Sequence, residues 1–477
     1  MTLFQWILFS LHVLLVAATA GHALLYKRDP RAALGWIAVC ILFPLVGPCL
    51  YFLFGINRVK TRARKLLGQS PFWIPEGMAR SQEEEGSTPA KPVVLPEYGR
   101  IARVSEAVTR QPLVGGNRID MFHNGEGAYP PMLEAVRDSQ RFCFLSTYIF
   151  ETNDTGQQFI DELARAKKRG VDVRVLIDGI GDLYALPRAS SLLRKRGVRA
   201  ATFIPPKAFP PTLHINLRNH RKILVADGCA AFLGGMNIGD RHLAADLDNP
   251  SRVVDVHFRL TGPVVAQVEK AFLEDWGFVT GDNTPPSNGC RDERGTAVCR
   301  TIADGPNEDP DKIALILAGA VSAARDRIRI MTPYFLPSRE LIGALQAAAL
   351  RGVDVQVVLP VRSNLPFVQW ATANMLWELL QWGVRIFYQP PPFVHTKLFL
   401  VDDSYAQIGS ANIDARSLRL NFELVVEVYD RAFSRVLASH FRDCLARARE
   451  ISLEEVDGRP IPVRVRDALA WIFTPYL

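Results

Sequence analysis

The sequence predicts an α/β protein with two pseudo-symmetric sandwich halves that share one cleft, preceded by a two-helix membrane hairpin. Two observations lead to this fold class. A block with histidine, lysine and aspartate at the same spacing occurs twice, at residues 220–227 and 395–402. The amino-terminal region contains two apolar stretches, and each is long enough to cross the roughly 30 Å apolar core of a bilayer as an α-helix.

The membrane hairpin is predicted from the absence of charge. Neither Leu3 to Leu25 nor Ala32 to Ile56 contains a charged residue, if histidine counts as neutral. The residues between them are too few for a domain, so residues 1–58 should form a transmembrane hairpin. A cleaved signal peptide is the main alternative, but no Lys or Arg precedes the first stretch and a second stretch follows at once. Pro44 would also allow the second stretch to be kinked or re-entrant.

Basic residues give the expected orientation. Five Lys or Arg lie within residues 58–65, whereas the hairpin loop carries three, offset by Asp29. The flank richer in Lys and Arg favours the cytoplasm, and two spans return the chain to its starting side. We therefore expect a multi-pass membrane protein with both termini and the catalytic domain in the cytoplasm. The formal net charge of +7 fits an anionic partner such as lipid headgroups or nucleic acid.

The rest of the chain divides into four further parts after a connecting segment. Residues 59–100 are predicted to be a basic juxtamembrane segment and a polar linker rich in Pro, Gly and Glu. The first half should span 101–280, a polar crossover loop 281–300, the second half 301–458 and an amphipathic tail 459–477.

Each half begins with the same order of elements. An apolar strand, an amphipathic helix and a second strand containing Gly-Val-Asp-Val follow one another at residues 142–178 and again at residues 328–360. This order predicts a βαβ unit with parallel strands in each half. We expect the two halves to pack face to face.

The cysteines give no sign of a metal site. All seven are scattered, and no C-x-x-C or Cys/His spacing typical of zinc occurs. Cys290 and Cys299 could pair if their loop were outside the cytoplasm. Free thiols are expected for the cytoplasmic orientation predicted above.

The spacing within each block indicates which side chains act together. The histidine and the lysine are two residues apart, directly before an apolar run that has the character of a strand. Because side chains alternate faces along a strand, His220 and Lys222 should project from one face, as should His395 and Lys397. The aspartate of each block follows its histidine by seven residues, an odd offset that places it on the other face. We interpret both aspartates as structural residues that close turns.

Histidine beside lysine suits phosphate chemistry. Imidazole can act as a nucleophile or general acid near neutral pH, and lysine and asparagine side chains can hold phosphate oxygens. Each block continues into a turn with glycine and asparagine, Asn237 in the first and Asn412 in the second, where Ser410 adds a hydroxyl. A reaction that needs one histidine on each side of a phosphorus explains the duplication. Two ordinary strands that happen to carry His and Lys remain the alternative.

Each histidine also needs a carboxylate that fixes its tautomer. Asp255 and Glu423 are the candidates, because each lies at a strand-like run downstream of its block. Taken singly, either residue could instead be an ordinary surface acid.

With these motifs the sequence resembles the phospholipase D superfamily, whose signature is the paired H-x-K-x4-D block. Within it, the chain looks like the bacterial cardiolipin synthases. The hairpin with FPLVGPCLYFLFG (residues 43–55) in front of two blocks and the NIDARSL and NFE motifs of the second block carry this likeness, which extends over nearly the whole chain. The resemblance implies two phospholipase D-like halves and a phosphatidyltransferase of the bacterial inner membrane.

The resemblance also implies phosphatidyl transfer without a metal or other cofactor. One histidine attacks the phosphodiester of a phosphatidylglycerol and forms a phosphatidyl-histidine, while the other protonates the departing glycerol. The second histidine then acts as a base as the hydroxyl of another phosphatidylglycerol attacks, which gives cardiolipin. We expect His220 to be the nucleophile. The implied catalytic set is His220, Lys222, Asp227, His395, Lys397 and Asp402, with Asn237, Asn412 and Ser410 on the phosphate and Asp255 and Glu423 orienting the histidines.

One departure from symmetry and several alternatives stay open. Gly235 stands where the second half has Ser410, so phosphate binding could be asymmetric. Phosphatidylglycerol and membrane lipids are the expected partners, and nucleic acid is not, because the membrane hairpin argues against a nuclease. Phospholipid hydrolysis, phosphatidylserine synthesis and a catalytically inactive membrane scaffold are the competing functions. The sequence carries no readable motif for the phosphatidyl acceptor or for an oligomeric state.

Overall fold

The computed structural model describes residues 2–27, 30–55, 98–206, 217–287, 289–290, 294–305 and 312–474. The chain separates into two compact units, Met1–Lys65 and Leu66–Leu477. The predicted basic juxtamembrane segment and linker, residues 59–100, fall outside the described residues except at their carboxyl end. The boundaries of the predicted segments remain predictions.

The amino-terminal unit starts with one long apolar helix. Helix α1 (Leu3–Tyr26) is capped by the Thr2 hydroxyl, and among the described helices it alone is long and apolar enough to cross a membrane. The second apolar stretch is divided into α2 (Pro30–Leu42), α3 (Val46–Leu50) and a π-helical turn (Tyr51–Gly55). Leu45, with φ of 63°, reverses the chain between α2 and α3.

The second apolar stretch folds back on itself. The Leu45 N–H points to His12 Nδ1 at 3.5 Å, whereas the Tyr51 hydroxyl lies 2.8 Å from His22 Nδ1. His12 and His22 are ten residues apart on α1, about 15 Å along its axis. The chain therefore rises beside α1 to the level of His12 and returns to the level of His22. Gly47 permits this return, because a Cβ there would lie 2.2 Å from the Val39 carbonyl oxygen. The geometry is that of the re-entrant alternative.

Among its described residues, the second unit forms one continuous sheet of fifteen strands and a separate two-stranded pairing of β7 with β13. The strands are β1 (Val114–His123), β2 (Phe142–Thr147), β3 (Asp172–Asp178), β4 (Arg199–Phe203), β5 (Ile223–Ala226), β6 (Ala230–Gly234), β7 (Val253–Val254), β8 (Val256–Thr261), β9 (Ala297–Asp304), β10 (Arg327–Met331), β11 (Asp354–Pro360), β12 (Arg385–Gln389), β13 (Phe393–Val394), β14 (Leu398–Val401), β15 (Tyr405–Gly409), β16 (Glu423–Tyr429) and β17 (Arg449–Ile451).

The strand order shows the internal repeat. Outward from β1 run β8, β6, β5, β2, β3 and β4 of the first half, and outward from β9 run β16, β15, β14, β10, β11 and β12 of the second, followed by β17. The predicted βαβ units are confirmed, since β2 pairs parallel with β3 and β10 parallel with β11. The central strands β1 and β9 pair antiparallel, so the halves join edge to edge within one sheet. Strands β6 and β15, five positions apart in this order, also contact each other, so the sheet curves round and the two halves face each other as expected.

Helices cover the sheet and enclose a hydrophobic core in each half. They are α4 (Gly99–Thr109), α5 (Asn124–Asp138), α6 (Asp154–Lys168), α7 (Ala189–Lys195), α8 (Val264–Thr280), α9 (Lys312–Ala323), α10 (Arg339–Leu350), α11 (Pro366–Met375), α12 (Trp377–Leu380), α13 (Ala415–Arg419), α14 (Arg431–Leu445), α15 (Leu453–Asp457) and α16 (Ile461–Ile472).

Helix α4 packs with the second half although it precedes the first half in sequence. Its buried Ile101 and Ala102 belong to the core cluster of the second half. Ser105 donates a hydrogen bond to the buried carboxylate of Glu427 at 2.8 Å. The boundary predicted at residue 101 assigns most of this helix to the first half, whereas the helix packs against the second half.

The cysteine expectation is corrected at one pair. Cys229 and Cys290 form a disulfide, with Cα atoms 4.8 Å apart, and Cys299 is a buried free thiol. Cys229 lies in the turn between β5 and β6. The Cys290 N–H donates to the Gly228 carbonyl at 3.0 Å, which ties the crossover segment to this turn. The two cysteines are 61 residues apart in sequence, so no local spacing indicated that they pair.

The aspartates of the two blocks are structural, as their spacing predicts. Asp227 and Asp402 have φ values of 53° and 51° in the turns after β5 and β14. Each carboxylate accepts three backbone N–H groups, at residues 140–142 and 325–327, at distances of 2.8 to 3.2 Å. These groups lead into β2 and β10, at the far end of β5 and β14 from the histidines. This placement favours a structural role over the catalytic role that the resemblance implied, which stays a prediction.

Asp402→Ala is expected to destabilise the fold without touching the chemistry. Hydrogen bonds to a charged group contribute about 1.5–3 kcal/mol each, so losing three near the surface should cost about 2–4 kcal/mol. The thermal midpoint in detergent should fall, while kcat per folded molecule stays within about twofold. A large loss of kcat at an unchanged midpoint would return Asp402 to the catalytic set.

Candidate active site

The two histidine blocks lie at the carboxyl-terminal edge of the parallel strands. His220 and Lys222 directly precede β5, and His395 and Lys397 directly precede β14. Strands β5 and β14 run antiparallel to β2 and β10. Both blocks are therefore at the edge where β2 and β10 end, which is the usual location of binding sites in such sheets.

Backbone hydrogen bonds join each block to the opposite half. The His220 N–H donates to the Phe422 carbonyl at 2.9 Å, and the His395 N–H donates to the Val254 carbonyl at 2.8 Å. Strands β7 and β13 add a short parallel pairing at the second of these crossings. Both accepting carbonyls belong to residues that directly precede a candidate orienting carboxylate. Each block is thereby held against the carboxylate of the other half.

The histidine–carboxylate pairs consequently cross between the halves. His220 Nδ1 lies 3.0 Å from Glu423 Oε1, and His395 Nδ1 lies 2.9 Å from Asp255 Oδ2. Both carboxylates are fully buried. An ionised carboxylate can only accept, so it favours the tautomer with the proton on Nδ1 and leaves Nε2 as the reactive nitrogen.

The two lysines are buried close to their own histidines. Lys222 Nζ donates to the His220 carbonyl at 2.6 Å, and Lys397 Nζ donates to the His395 carbonyl at 2.5 Å. Lys397 Nζ also lies 3.0 and 3.1 Å from the two ring nitrogens of His395. Burial lowers the pKa of Lys222 to about 7 and that of Lys397 to about 8. An anionic ligand would restore their charge, because a nearby negative charge favours the protonated amine.

Both imidazoles are neutral at pH 7. Burial, with the charge of Lys222 next in size, holds the pKa of His220 well below its usual value. Burial and the charge of Lys397 lower the pKa of His395 to about 3, against the opposing effect of Asp255. A neutral imidazole has a free lone pair, which is the form needed for nucleophilic attack.

The two orienting carboxylates differ in charge state. Burial raises the pKa of Glu423 to about 7, which Lys222 and the Ser410 hydroxyl only partly offset. Burial also acts to raise the pKa of Asp255, but the hydrogen bond with His395 and the charge of Lys397 lower it to about 2. The pKa of Asp255 thus lies far below that of Glu423, so Asp255 is the more readily ionised of the two carboxylates. The pseudo-symmetric site is therefore electrostatically asymmetric.

Ser410 and Gly235 give this asymmetry a structural basis. The Ser410 hydroxyl donates to Glu423 Oε2 at 2.5 Å and accepts from the Leu424 N–H at 3.0 Å. Its proton is directed at the carboxylate, so the geometry favours a positioning role for Ser410, and its phosphate-binding role stays a prediction. A Cβ at Gly235 would lie 2.3 Å from the Asp255 carboxylate, which leaves no room for a serine there.

The two asparagines lie in the turns beside the blocks, as the sequence predicts. Asn237 Oδ1 accepts from the Ile149 N–H at 3.1 Å, which fixes the orientation of its side-chain amide. Asn412 is buried, and its Oδ1 accepts no hydrogen bond from the described residues. Their phosphate-binding role stays a prediction.

Two tyrosines beside the histidines were missed by the sequence reasoning. The ring of Tyr148 lies 5.4 Å from that of His220, and the ring of Tyr334 lies 6.5 Å from that of His395. Lys222 Nζ is 5.6 Å from the centre of the Tyr148 ring. Tyr148 directly follows β2, and Tyr334 lies three residues after the end of β10, at matching places in the repeated segments. A tyrosine at matching strand ends was the signal that could have found them.

The expectation of a reaction without a metal remains a prediction. Within the described ranges, no group of three or more His, Cys, Asp or Glu is arranged to hold a metal ion. Lys222 and Lys397 are the buried positive charges next to the histidines.

The pKa values predict a bell-shaped pH dependence of kcat/KM. As pH falls below about 7, Glu423 becomes protonated. It is then no longer an anion that accepts the hydrogen bond from Nδ1 of His220. As pH rises through about 7 and then about 8, first Lys222 and then Lys397 becomes neutral and binds an anionic phosphodiester less well. Turnover at saturating and limiting substrate across pH 5 to 10 should place the maximum between these limits. A profile that is flat from pH 6 to 9 would contradict the assignment.

Comparison with known proteins identifies the family. The family described as cardiolipin synthase, PLD-like domain, matches residues 132–276 and 317–445, and the phospholipase D-nuclease N-terminal family matches residues 6–55. Cardiolipin synthase A of Pseudomonas putida is 31% identical over 99% of this chain and 98% of its own length. The major cardiolipin synthase ClsA of Bacillus subtilis is 30% identical over 94% of this chain and 95% of its own length.

A solved structure supports the same fold. The crystal structure of phosphatidylserine synthase from Haemophilus influenzae is similar with a TM-score of 0.61, over 79% of this chain and 100% of that chain, at 15% identity. A likeness at this identity concerns the fold alone. The family matches and the curated relatives together show that the chain belongs to the family of phospholipase D-like cardiolipin synthases.

Proposed function

We propose that the enzyme transfers a phosphatidyl group from one phosphatidylglycerol to another, giving cardiolipin and glycerol. The observation that carries this proposal is the pair of crossed histidine–carboxylate contacts at one cleft. These contacts supply two neutral imidazoles, and Nδ1 of each is hydrogen-bonded to a buried carboxylate. A double displacement at phosphorus needs such a pair, because a nucleophile and a proton donor act from opposite sides.

In the first step, His220 Nε2 attacks the phosphorus and the bond to the glycerol oxygen breaks. His395, which takes up a proton on Nε2 as the phosphodiester binds, gives that proton to the glycerol oxygen, so that neutral glycerol leaves and a phosphatidyl-histidine remains. The bound phosphodiester prepares His395 for this task, because its negative charge raises the pKa of the imidazole and attracts Lys397 away from the ring. Lys222 and Lys397 hold the phosphate oxygens as their charge redistributes.

In the second step, His395 takes the proton from the hydroxyl of a second phosphatidylglycerol. The hydroxyl oxygen bonds to phosphorus, the bond to His220 breaks, and the enzyme returns to its starting state. The ionised Asp255 supports the choice of His395 as the acid and base, since this residue holds a full positive charge before the first proton transfer and after the second. His220 is then the nucleophile.

The test of this function is a lipid assay with defined substrates. Purified full-length protein in phosphatidylglycerol vesicles should form cardiolipin and glycerol in equal amounts, with and without EDTA. Lipids of a host that produces the His220→Ala, His395→Ala double variant serve as the control for mass spectrometry. Phosphatidic acid as the main product would establish the hydrolase instead, and phosphatidylserine formation from CDP-diacylglycerol and serine would establish the synthase alternative.

The protein is membrane-associated, and we propose an orientation from its re-entrant second stretch. If only α1 crosses the bilayer, all eight Lys and Arg of residues 27–31 and 58–65 lie on one side, whereas residues 1–25 carry none. The positive-inside rule then places the catalytic unit in the cytoplasm, as predicted, and the amino terminus outside, unlike the predicted arrangement. The Cys229–Cys290 disulfide favours the opposite orientation, because disulfides are rare in the cytoplasm.

Fusions at each terminus separate these possibilities. We expect alkaline phosphatase, which needs an oxidising compartment, to be active at the amino terminus and inactive at the carboxyl terminus. Green fluorescent protein should show the reverse pattern. Phosphatase that is inactive at both ends would indicate two complete spans, and phosphatase that is active only at the carboxyl end would place the catalytic unit outside the cytoplasm.

A further inference from the structure

Exposed apolar side chains surround the carboxyl-terminal edge of the sheet, where the histidines lie. In the first half, the loop after β3 exposes Leu183, Tyr184 and Leu186, and Leu186 is 87% exposed. In the second half, the loop after β11 exposes Leu365 and leads into α11, which exposes Phe367. Both loops follow parallel strands, so they leave the sheet at the same edge as the two histidine blocks.

Direct contacts connect these loops to the residues around the histidines. In the first half, the turn that carries Tyr184 packs on Tyr148, since a Cβ at Gly181 would lie 1.5 Å from the Tyr148 carbonyl oxygen. In the second half, the Tyr334 hydroxyl donates to Asn364 Oδ1 at 2.7 Å, directly before Leu365. Each of these two loops thus directly contacts a tyrosine that lies beside one of the two histidines.

The carboxyl-terminal helix widens the apolar surface of the second half. The ring of Phe473, which follows α16, lies 6.2 Å from that of Phe367. On α16 the spacing of exposed apolar residues is four, four and three, which places them in one stripe. Its exposed members are Ile461, Val465, Leu469 and Ile472.

Arginines lie beside this apolar surface. Arg466 lies over the ring of Trp370 at 4.6 Å, and Arg339 lies over the ring of Trp471 at 5.7 Å. Both arginine side chains remain about half exposed, and each also pairs with an acidic residue, Arg466 with Asp467 and Arg339 with Glu378. An exposed apolar stripe bordered by cationic side chains and aromatic rings is the composition of helices that lie in the interface of an anionic bilayer.

We propose that these groups form one docking face that seats the cleft in the interface of a bilayer rich in anionic phospholipid. The inference rests on the proposed function, because a substrate with its phosphate at the interface requires the cleft to meet that plane. The occupant is a bilayer rather than another protein, since both halves contribute to the face around a lipid-processing cleft and its border is cationic. The docking face consists of Leu183, Tyr184, Leu186, Leu365, Phe367, Ile461, Val465, Leu469, Ile472 and Phe473.

Depth measurements on the full chain test the docking face directly. An environment-sensitive fluorescent amino acid replaces Leu186, Phe367 or Val465 in turn, and the protein is reconstituted in phosphatidylglycerol vesicles. Lipids with a nitroxide on the acyl chain should quench each of these positions. Leu350 is the matched control, because it is 66% exposed but lies at the end of α10, where the chain enters the opposite edge of the sheet. Quenching should be at least threefold stronger at the three test positions than at position 350.

The depth experiment needs no turnover, so it separates this proposal from the proposed function. It is repeated in the His220→Ala, His395→Ala double variant, where the same quenching pattern is expected. Equal quenching at positions 186, 367, 465 and 350 would overturn the docking face, even in a protein that makes cardiolipin. Strong quenching in a protein that makes none would refute only the proposed function.

A kinetic comparison gives a second readout. For Leu186→Glu and Phe367→Glu, the ratio of turnover on vesicles to turnover on dissolved short-chain phosphatidylglycerol should fall at least tenfold. The ratio should not change for Leu350→Glu. A ratio that is unchanged in all three variants, or reduced equally in all three, would overturn the proposal, since a folding defect acts on both substrates alike.

Discussion

Replacing either His220 or His395 by alanine is expected to lower kcat for cardiolipin formation by at least about 10³-fold, and replacing both should cost little more. Each histidine supplies a group that the other cannot provide, because the nucleophile and the acid must be present together. The crossed contacts with Glu423 and Asp255 support this interdependence, since each half orients the histidine of the other.

The measurement is a double-mutant cycle on the two single variants and the double variant in the same vesicles. Thermal midpoints should stay within a few degrees of the wild type, which shows that the losses are chemical. Losses that multiply in the double variant would mean that the histidines act independently, and the shared-cleft mechanism would then be abandoned.

The second large effect concerns the two orienting carboxylates, which are equivalent in sequence pattern but not in charge. Asp255→Asn is expected to lower kcat by about 10²- to 10⁴-fold, because it removes an ionised carboxylate that must stabilise the His395 imidazolium. Glu423→Gln should lower kcat by only about tenfold. Burial raises the pKa of Glu423 and so weakens its anionic form, and an amide oxygen can still accept the Nδ1 proton of His220.

The pH profile distinguishes this explanation from a difference in folding. In Glu423→Gln the fall in kcat/KM below pH 7 should disappear, whereas in Asp255→Asn it should remain at a lower plateau. Ser410→Ala is the matched control for the positioning role, because it removes the hydrogen bond to Glu423 and leaves the carboxylate in place. Equal losses and unchanged profiles in both carboxylate variants would contradict the asymmetry of the site.

Local patterns were sufficient to predict most of the fold. The repeated strand–helix–strand segments specified the parallel pairs, because amphipathic periodicity is a local property. The pairing of β1 with β9 was not predictable in this way. Strand β1 begins Val-Gly-Gly-Asn and lacks an apolar alternation at its start, and β9 begins within the polar region that was taken for a crossover loop.

The same limit applies to the site. The histidines, lysines and carboxylates were found from residue type and spacing. That each histidine pairs with the carboxylate of the opposite half depends on backbone hydrogen bonds from His220 to Phe422 and from His395 to Val254. No spacing along the chain encodes these bonds. Residue type also cannot decide whether Ser410 binds phosphate or hydrogen-bonds to Glu423, because a hydroxyl group can do either.

Helix α4 has a consequence for how the protein is made. Ser105 and its partner Glu427 are 322 residues apart, so at 5–20 residues per second the ribosome needs roughly 16 to 64 s to supply the partner after the helix emerges. Until β9 and helix α9 emerge, the free edge of β1 and the apolar face of α4 also lack native cover, and an open edge strand favours association with other nascent chains. The two halves resemble duplicated modules, yet neither can complete its folding on the ribosome alone. A chain interrupted between them should aggregate, and a gene divided at this point should not give two independently soluble products.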